Sequence, residues 1–397
     1  MNVLFIQDIG DVGGATKSLL ELISNLHNKY NVNPIVVTSD YNSVNKFCEK
    51  NGFKNYSINH KQVIVPPSHN KIKNFFKKAL FLLLLIRNQL YNFVALKKLE
   101  KEIDFSKVDL IHTNVNRDII GFMISKKYHI KHVVHLREFG DLDYNCFCIK
   151  PGYVRYMNKY CNSFIAISDV IKKHWIRKGI DEEKICVIYN GVNVNQQLNI
   201  KTQKNKKKKI YCVFSGNISK NKGQEQVIRA FGLLDKLFLS KLSLDIYGSG
   251  DGEYIDYLQK LVNSLGLSEI IEFKEYDKNL SSKLKGYDIG FICSKAEAFG
   301  RVTIEFMLSN VLVIASNCGA NVELIENNKT GLLYTYGDII DLKNKIVFAI
   351  NNKNEVNKII KKAKEESEKK FTTKINSNNI YELYEEVIYN YETNEIK

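Results

Sequence analysis

The stretch that decides the fold is SKAEAFGRVTIEFMLSNVLVIASNCGANVELIENNKTG, residues 294–331. Two glutamates in it, Glu297 and Glu305, stand eight positions apart with a Phe-Gly dipeptide between them. Residues 302–309 have the apolar spacing of a short helix, and the apolar run 311–315 is typical of a buried strand. The pattern therefore predicts one carboxylate on a loop before a helix N-terminus and the other within the first turns of that helix.

Such an arrangement suits an anionic ligand that carries hydroxyl groups. Backbone N–H groups and the helix dipole favour an anion at a helix N-terminus. Each carboxylate can accept hydrogen bonds from a pair of sugar or ribose hydroxyls. A sugar nucleotide offers both kinds of group. The alternative is an ordinary surface helix with solvated acids, because two glutamates at this spacing are common by themselves.

Length and composition are those of a globular protein with two domains. The chain has 397 residues, of which 44% are hydrophobic and 25% are charged, enough for two separate cores. The net charge of +15 attracts nucleotides, nucleic acid or anionic membranes without choosing among them. The eight cysteines are scattered and include no Cys-x2-Cys pair. We therefore expect a reducing cytoplasm and no metal site.

Short apolar runs alternate with helical patterns twice along the chain. The alternation lapses at residues 193–209, a polar stretch that ends in a run of lysines and that we interpret as an interdomain linker. Strands separated by helices predict parallel, doubly wound sheets. The expected units are an N-terminal Rossmann-like domain at 1–192 and a C-terminal one at 210–374.

Together with Gly319 and Thr330-Gly331, the paired glutamates resemble the Glu-x7-Glu element of retaining glycosyltransferases with the GT-B fold, in particular glycosyltransferase family 4. The resemblance extends over nearly the whole chain. It implies an α/β architecture of two Rossmann-like, doubly wound domains facing across a cleft. The first domain would bind the acceptor and the second the nucleotide sugar. A terminal helix, residues 375–397, would cross back to the first domain.

The resemblance also assigns roles around the two glutamates. Glu305 would bind the ribose hydroxyls and Glu297 the donor sugar. The backbone amides near Phe299, Gly300 and Arg301 would contact the sugar or a phosphate. Arg301 is a charged residue where the family commonly has an apolar one, so its side chain either serves a phosphate or is exposed.

A second motif, SGNISKNKGQ at residues 215–224, resembles the family's phosphate loop and contains Gly216. Lys222 takes the place of a lysine that would neutralise the leaving diphosphate; the alternative is a surface lysine. The family usually has arginine where this chain has Asn217. Because asparagine cannot supply that charge, one cationic contact is lost unless Lys220 replaces it.

Further candidates follow predicted strands. Gly13 and Gly14 precede the first helix and resemble the family's first glycine loop, whose backbone amides can approach an anion closely; a plain tight turn is the alternative. Gly248 ends a strand where a nucleotide can pack closely, and Tyr276 follows the next strand at a place that resembles the base-binding edge. His135 ends another strand and resembles a histidine near the donor sugar, although a lone histidine is more often structural.

The activity implied by the resemblance is transfer of a hexose from a nucleoside diphosphate sugar to a hydroxyl of a glycan or lipid-linked glycan. Transfer would retain the anomeric configuration and need no cofactor or metal ion. His135, Lys222 and Glu297 would be catalytic. A nucleotide-sugar epimerase or hydrolase of the same fold, or a non-catalytic protein that binds anionic surfaces, is the alternative. The missing Gly-x-Gly-x-x-Gly pattern disfavours an NAD-dependent dehydrogenase.

Basic and apolar residues cluster at residues 71–98, where the most apolar run, 79–86, is too short to span a bilayer. A helix here would have a wide apolar arc with basic edges, as helices in a membrane interface do. It could equally pack on the first domain with its basic residues solvated. With no signal-peptide pattern at the start, we expect a cytoplasmic protein, peripheral on the inner membrane face, in surface polysaccharide synthesis. No nucleic-acid partner is expected.

Overall fold

The computed structural model describes residues 1–7, 13–65, 81–193 and 209–389, and it divides into two compact units. The first unit comprises Met1–Gly191 and Thr373–Lys397, and the second comprises Val192–Thr372. Two stretches lie outside the described residues: 194–208, which is most of the predicted linker, and 66–80, which includes the first part of the basic cluster.

The first unit is built on a seven-stranded parallel sheet in the order β3-β2-β1-β5-β6-β8-β9, beside a two-stranded antiparallel pair, β4-β7. The strands are β1 (Asn2–Gln7), β2 (Asn33–Thr38), β3 (Lys54–Ser57), β4 (Ile64–Val65), β5 (Leu110–Thr113), β6 (Lys131–Leu136), β7 (Phe147–Cys148), β8 (Ser163–Ala166) and β9 (Ile185–Val187). Buried strands in this order, with helical crossovers, are typical of a Rossmann-like sheet.

The helices of the first unit follow its strands in alternation. They are α1 (Gly14–Tyr30), α2 (Ser43–Lys50), α3 (Phe81–Glu102), α4 (Ile120–Tyr128), α5 (Asp141–Tyr144), α6 (Tyr153–Tyr160) and α7 (Asp169–Arg177). In α1 the buried residues Leu19, Leu22, Ile23 and Leu26 recur at helical spacing, which gives one apolar face that packs on the sheet.

The last described helix of the chain, Thr373–Tyr389, belongs to the first unit. Its residues Ile380, Tyr384 and Val387 are buried in the same core as Val3 and Phe5 of the first strand. This helix therefore completes the first sheet's hydrophobic core with residues that come from the far end of the sequence.

The second unit is a six-stranded parallel sheet in the order β12-β11-β10-β13-β14-β15. Its strands are β10 (Ile210–Ser215), β11 (Leu242–Tyr247), β12 (Ile271–Lys274), β13 (Ile289–Ile292), β14 (Leu312–Ser316) and β15 (Leu332–Tyr334). Its helices are α8 (Gln224–Gly232), α9 (Lys236–Leu239), α10 (Gly252–Ser264), α11 (Leu280–Lys283), α12 (Arg301–Leu308), α13 (Asn321–Leu324), α14 (Ile339–Asn351) and α15 (Lys353–Lys370); the helix Thr373–Tyr389 is α16. One core of aliphatic and aromatic side chains holds the unit together.

Each unit is thus built on a parallel sheet with helices between its strands, which confirms the two predicted Rossmann-like domains. In such sheets ligands bind beyond the carboxyl ends of the strands. The loops that follow β10, β11, β13 and β14 in the second unit contain most of the predicted site residues.

Candidate active site

The loops at the carboxyl edge of the second sheet approach each other very closely. The amide of Gly216, after β10, donates to Tyr247 O at 3.1 Å, and the amide of Ile218 donates to Ser249 O at 2.8 Å. A Cβ at Gly248 would lie 1.9 Å from Gly216 O, so only glycine fits this crossing. The glycine predicted to admit a nucleotide is therefore also required by the contact between the first two loops.

The centre of the candidate site is an ion pair between Lys222 and Glu297. Lys222 Nζ lies 2.9 Å from Glu297 Oε2, and Ser294 Oγ donates to the same oxygen at 2.9 Å. The side chains of Lys222 and Glu297 are 35% and 15% exposed. The structure thus joins the predicted phosphate lysine to the predicted sugar-binding glutamate.

Backbone hydrogen bonds hold these two loops in register. The amide of Lys295 donates to Asn221 O at 3.0 Å, and the amide of Ala320 donates to Glu297 O at 2.8 Å. Ser316 Oγ donates to Ser294 O at 2.7 Å. The position of Glu297 is therefore set by loops that follow three different strands, β10, β13 and β14.

The surroundings of Glu297 favour its charged form. Burial by itself raises the pKa of this carboxyl, but the charge and hydrogen bond of Lys222, the Ser294 hydroxyl and the Gly300 amide together lower its pKa below the ordinary glutamate value. Glu297 is consequently an acceptor at neutral pH, which suits its predicted role of accepting hydrogen bonds from sugar hydroxyls.

Glu305 lies one turn into α12 and pairs with Arg301 at the first position of the same helix. Arg301 Nε lies 3.1 Å from Glu305 Oε1, and both side chains are largely buried, at 13% and 17% exposure. The guanidinium therefore stands at the helix N-terminus, beside the carboxylate that the resemblance assigns to ribose.

Between the two glutamates, Phe299 and Gly300 turn the chain into the helix. Phe299 is buried and packs edge-to-face on Phe371, with ring centroids 6.2 Å apart. Gly300 is the N-cap of α12 and has a φ of 86°. The Phe-Gly dipeptide thus combines an apolar anchor with a left-handed residue that starts the helix.

Gly319 supports Glu297 from the opposite side. Its φ is 58°, and a Cβ there would lie 2.5 Å from both the backbone nitrogen and the backbone oxygen of Glu297. We expect Gly319→Ala to lower the free energy of unfolding by about 1–3 kcal/mol and to displace Glu297. Gly252→Ala is the control, because a Cβ there meets nothing within 4 Å.

Chemical denaturation of both variants, with a nucleotide-sugar binding assay, measures this effect. The prediction requires Gly319→Ala to lose stability and binding while Gly252→Ala keeps both. Equal stabilities for the two variants would show that the loop relaxes around the added methyl group.

The remaining second-unit candidates surround this centre without direct bonds to it in the described residues. Asn217 is exposed, and its backbone oxygen accepts from Gln224 Nε2 at 2.9 Å. Tyr276 follows β12 with its side chain 58% exposed. Both positions lie at the carboxyl edge of the sheet, and their roles toward a ligand stay predictions.

The first unit carries the other candidates. Gly13 is the N-cap and Gly14 the first residue of α1, while residues 8–12 of the predicted glycine loop lie outside the described ranges. His135, at the carboxyl end of β6, is fully buried, and burial and the charge of Arg137 place its pKa well below the ordinary histidine value. A neutral imidazole follows at neutral pH.

In each unit, sequence reasoning missed residues that contact the predicted ones. Ser294 bonds to Glu297, three positions later, and its only sequence signal is that it follows the strand that ends at Ile292. His112 and Tyr384 contact one another and lie 272 positions apart, so no local pattern could have paired them.

The described part of the chain contains neither a metal-binding cluster nor a membrane-spanning helix. No cluster of three or more His, Cys, Asp or Glu side chains is arranged there to hold a metal ion. Within the same ranges, no helix combines the length and the hydropathy needed to cross a bilayer.

Family comparison finds two matching models that together extend over most of the sequence. The model described as Glycosyltransferase Family 4 matches residues 12–196, and the model described as Glycosyl transferases group 1 matches residues 195–366. The boundary between the two matches falls where the sequence pattern lapses.

Individual proteins are also similar to this chain over most of its length. An uncharacterized glycosyltransferase of Methanocaldococcus jannaschii is 27% identical over 292 residues, which cover 72% of this chain and 77% of that protein. A Campylobacter jejuni enzyme named as an α-1,4-N-acetyl-D-galactosaminyltransferase acting on a diphospho-undecaprenol-linked glycan is 23% identical, covering 92% and 93%. Anabaena HepE, solved with UDP, superposes with a TM-score of 0.79 at 20% identity over 96% of this chain and 99% of that one.

Proposed function

We propose, from the premise that this chain belongs to the family 4 glycosyltransferases with the GT-B fold, that it transfers a hexose from a nucleoside diphosphate sugar to a hydroxyl of a glycan or lipid-linked glycan. Transfer retains the anomeric configuration and uses no metal ion. The observation that carries this proposal is the Lys222–Glu297 pair at the carboxyl edge of the second sheet.

In the proposed reaction, the bond between the sugar C1 and the diphosphate oxygen breaks, and a bond from C1 to the acceptor oxygen forms on the same face. The acceptor's proton passes to the departing phosphate oxygen, so no protein carboxylate forms a covalent intermediate. The sugar has oxocarbenium character in the transition state. Negative charge then grows on the diphosphate, where Lys222 stabilises it.

The ion pair gives Glu297 and Lys222 complementary tasks. Glu297, held ionised by its surroundings, accepts hydrogen bonds from hydroxyls of the donor hexose. The Lys222 ammonium has several donors, so it can bridge this carboxylate and a phosphate. Arg301 adds a second cation beside Glu305, in a protein that has Asn217 in place of the arginine usual in its phosphate loop.

Similar proteins indicate which donor and acceptor compounds to test first. HepE was also solved in complex with UDP-glucose, and the Campylobacter relative is named for a lipid-linked glycan acceptor. Because these similar proteins are named with such compounds, a uridine diphosphate hexose and an undecaprenol-type acceptor are the first to test.

Calorimetric titration with a panel of nucleotide sugars tests the donor, and product analysis with and without acceptor tests the reaction. The proposal expects one nucleotide sugar to bind and to yield a glycoside whose anomeric proton coupling equals that of the donor. Activity should survive EDTA, because lysine and arginine take the role of a metal ion. Inverted product, EDTA-sensitive transfer, or free hexose or an epimerised donor as the product would each contradict it.

The helix α3 carries an apolar surface that suits a lipid-linked acceptor. Its inner face is anchored by Asn92, whose side chain bonds both backbone groups of Lys61 at 2.7 and 2.8 Å. Its outer face exposes Leu83, Leu90 and Phe93 at 61%, 63% and 54%. These outward apolar residues recur at helical spacing, which is how a helix lies in a membrane interface.

Basic side chains border this surface, including the exposed Arg87, Lys97, Lys98 and Lys101. Cations near anionic headgroups contribute about 1 kcal/mol each. We therefore propose that α3 binds the anionic inner face of a membrane, with the enzyme otherwise in the cytoplasm, and that the acceptor serves surface polysaccharide synthesis.

Flotation with phosphatidylglycerol-containing vesicles tests the membrane proposal. Leu90→Glu is expected to reduce the floated fraction about tenfold, since a charge at this place repels the bilayer. Leu237→Glu, at a leucine that is 68% exposed in the second unit, is the matched control and should float like the wild type. Absence of flotation by the wild type at low salt, or equal loss in both variants, would refute it.

A further inference from the structure

Two histidines and a tyrosine form a buried chain of hydrogen bonds in the first unit. His112 of β5 and His135 of β6 both have 0% exposure. His112 Nε2 lies 3.1 Å from His135 Nδ1, and His112 Nδ1 lies 2.5 Å from the hydroxyl oxygen of Tyr384. Tyr384 comes from the helix α16, which thus reaches the carboxyl end of the sheet.

Arg137 contacts the same histidine nitrogen. Its Nη2 lies 3.1 Å from His135 Nδ1. Arg137 Nε donates to Asn114 Oδ1 at 2.7 Å, and Nη1 donates to Asn190 Oδ1 at 2.6 Å. The guanidinium is buried, with 7% exposure, and these two amides fix its plane. Its orientation toward His135 is therefore set by residues outside the pair.

The donor and acceptor roles in this chain follow from chemistry. A guanidinium can only donate hydrogen bonds, so His135 Nδ1 must accept and carries no proton. His112 Nε2, which contacts the same nitrogen, must then be the donor, which leaves His112 Nδ1 as the acceptor of the Tyr384 hydroxyl. In this arrangement Arg137 and His112 share the single lone pair of His135 Nδ1 in a three-centre hydrogen bond.

The two histidines and the tyrosine are also uncharged at neutral pH. Burial, with the charge of Arg137 next, lowers the pKa of both His112 and His135 well below the ordinary histidine value. Burial raises the pKa of Tyr384 well above the ordinary tyrosine value. At neutral pH each imidazole therefore has a single ring proton, and the tyrosine keeps its hydroxyl proton.

We propose that Tyr384, His112 and Arg137 lock His135 in the tautomer protonated at Nε2, and that this Nε2–H donates a hydrogen bond to a hydroxyl or phosphate oxygen of the bound substrate. The hydrogen bond from His135 to the substrate rests on the proposed glycosyl transfer. His135 Nε2 is buried, and no hydrogen-bond partner for it exists in the described part of the chain. A buried polar atom normally has a hydrogen-bond partner, and in this proposal the substrate supplies it.

This tautomer decides what His135 can do. A nitrogen that already carries its proton cannot accept one, so His135 is a hydrogen-bond donor and not the general base of the reaction. Tyr384 and His112 are positioning residues, since they act through His135. The acceptor's proton is left to the departing phosphate, and a substrate group that can only donate hydrogen bonds is disfavoured at this place.

Nitrogen-15 NMR of histidine-labelled protein tests the lock directly in the wild type. His135→Gln and His112→Gln assign the two imidazoles by the signals they remove. We expect both rings to show a protonated Nε2 and an unprotonated Nδ1, without change between pH 6 and 8. A protonated Nδ1 in His135, or fast exchange between tautomers, would overturn the inference without any activity measurement.

Tyr384→Phe removes the donor to His112 and tests the positioning role. The Nδ1 signal of His112 should then shift as this nitrogen loses its donor, and kcat/KM for glycosyl transfer should fall about 3- to 10-fold, as the loss of one neutral hydrogen bond predicts. Tyr381→Phe is the control; that ring stacks on Tyr30 of α1 with centroids 4.3 Å apart. An unchanged Nδ1 signal of His112, or unchanged transfer, in Tyr384→Phe would overturn the positioning role.

The two hypotheses fail separately. If no nucleotide sugar is transferred, the NMR spectra still decide the tautomer, and only the substrate clause falls. If transfer occurs but His135 is protonated at Nδ1, the proposed function stands and this inference falls.

Discussion

Replacing Lys222 by alanine is expected to lower kcat/KM for glycosyl transfer by about 100- to 1,000-fold, the usual loss when one preorganised charge-stabilising group is removed. The ammonium has two tasks, because it faces the proposed leaving diphosphate and also pairs with Glu297 at 2.9 Å. The loss should be largest in kcat, since charge on the diphosphate grows in the transition state.

The same variant has a predictable pH signature. With Lys222 in place the pKa of Glu297 is lowered, whereas burial, the largest opposing influence, raises it once the ammonium is gone. As the pH is lowered, the residual activity of Lys222→Ala should therefore be lost at a higher pH than wild-type activity is. The reason is that Glu297 takes up a proton more readily without the ammonium. Lys236→Ala, an exposed lysine of α9, is the control. Full activity in Lys222→Ala would contradict the mechanism.

The two glutamates should separate sugar binding from nucleotide binding. Glu305→Gln is expected to weaken both the nucleoside diphosphate and the nucleotide sugar by about 10- to 100-fold, the cost of losing charge-assisted bonds to the ribose hydroxyls. Glu297→Gln should cost kcat/KM about 100-fold yet leave the nucleoside diphosphate bound at least as tightly, because Lys222 no longer shares its charge with a carboxylate.

Calorimetry with the nucleoside diphosphate and with its sugar conjugate measures these differences. Glu326→Gln, at an exposed glutamate of the second unit, should bind both compounds like the wild type. If Glu297→Gln and Glu305→Gln lost affinity for both compounds equally, the division of labour between the two carboxylates would be wrong.

The sequence predicts much of the second unit because its signals are local. Alternating apolar runs indicate the parallel strands, and the apolar spacing of residues 302–309 predicts the helix that the structure places at Arg301–Leu308. A local apolar pattern alone can also predict a helix that is too long. Apolar spacing through residues 224–237 favours a single helix, but the structure ends one helix at Gly232 and begins another at Lys236.

What the sequence could not supply are contacts between distant loops and strands. The bond from Lys222 to Glu297 joins residues 75 positions apart, and only the assembled edge of the sheet brings them together. The strand Lys54–Ser57 is mostly polar and none of its residues is fully buried, so it lacks the apolar run that identifies its neighbours. The network around His135 depends on a helix from the end of the chain, and a single histidine at a strand end gives no indication of it.

A crystal structure with the bound nucleotide sugar tests the central claim most directly. The account predicts the ribose hydroxyls within about 3 Å of Glu305, the hexose hydroxyls against Glu297, and the diphosphate facing Lys222 and the N-terminus of α12. A nucleotide sugar bound away from the carboxyl edge of the second sheet, or one that leaves both carboxylates directed into solvent, would contradict it.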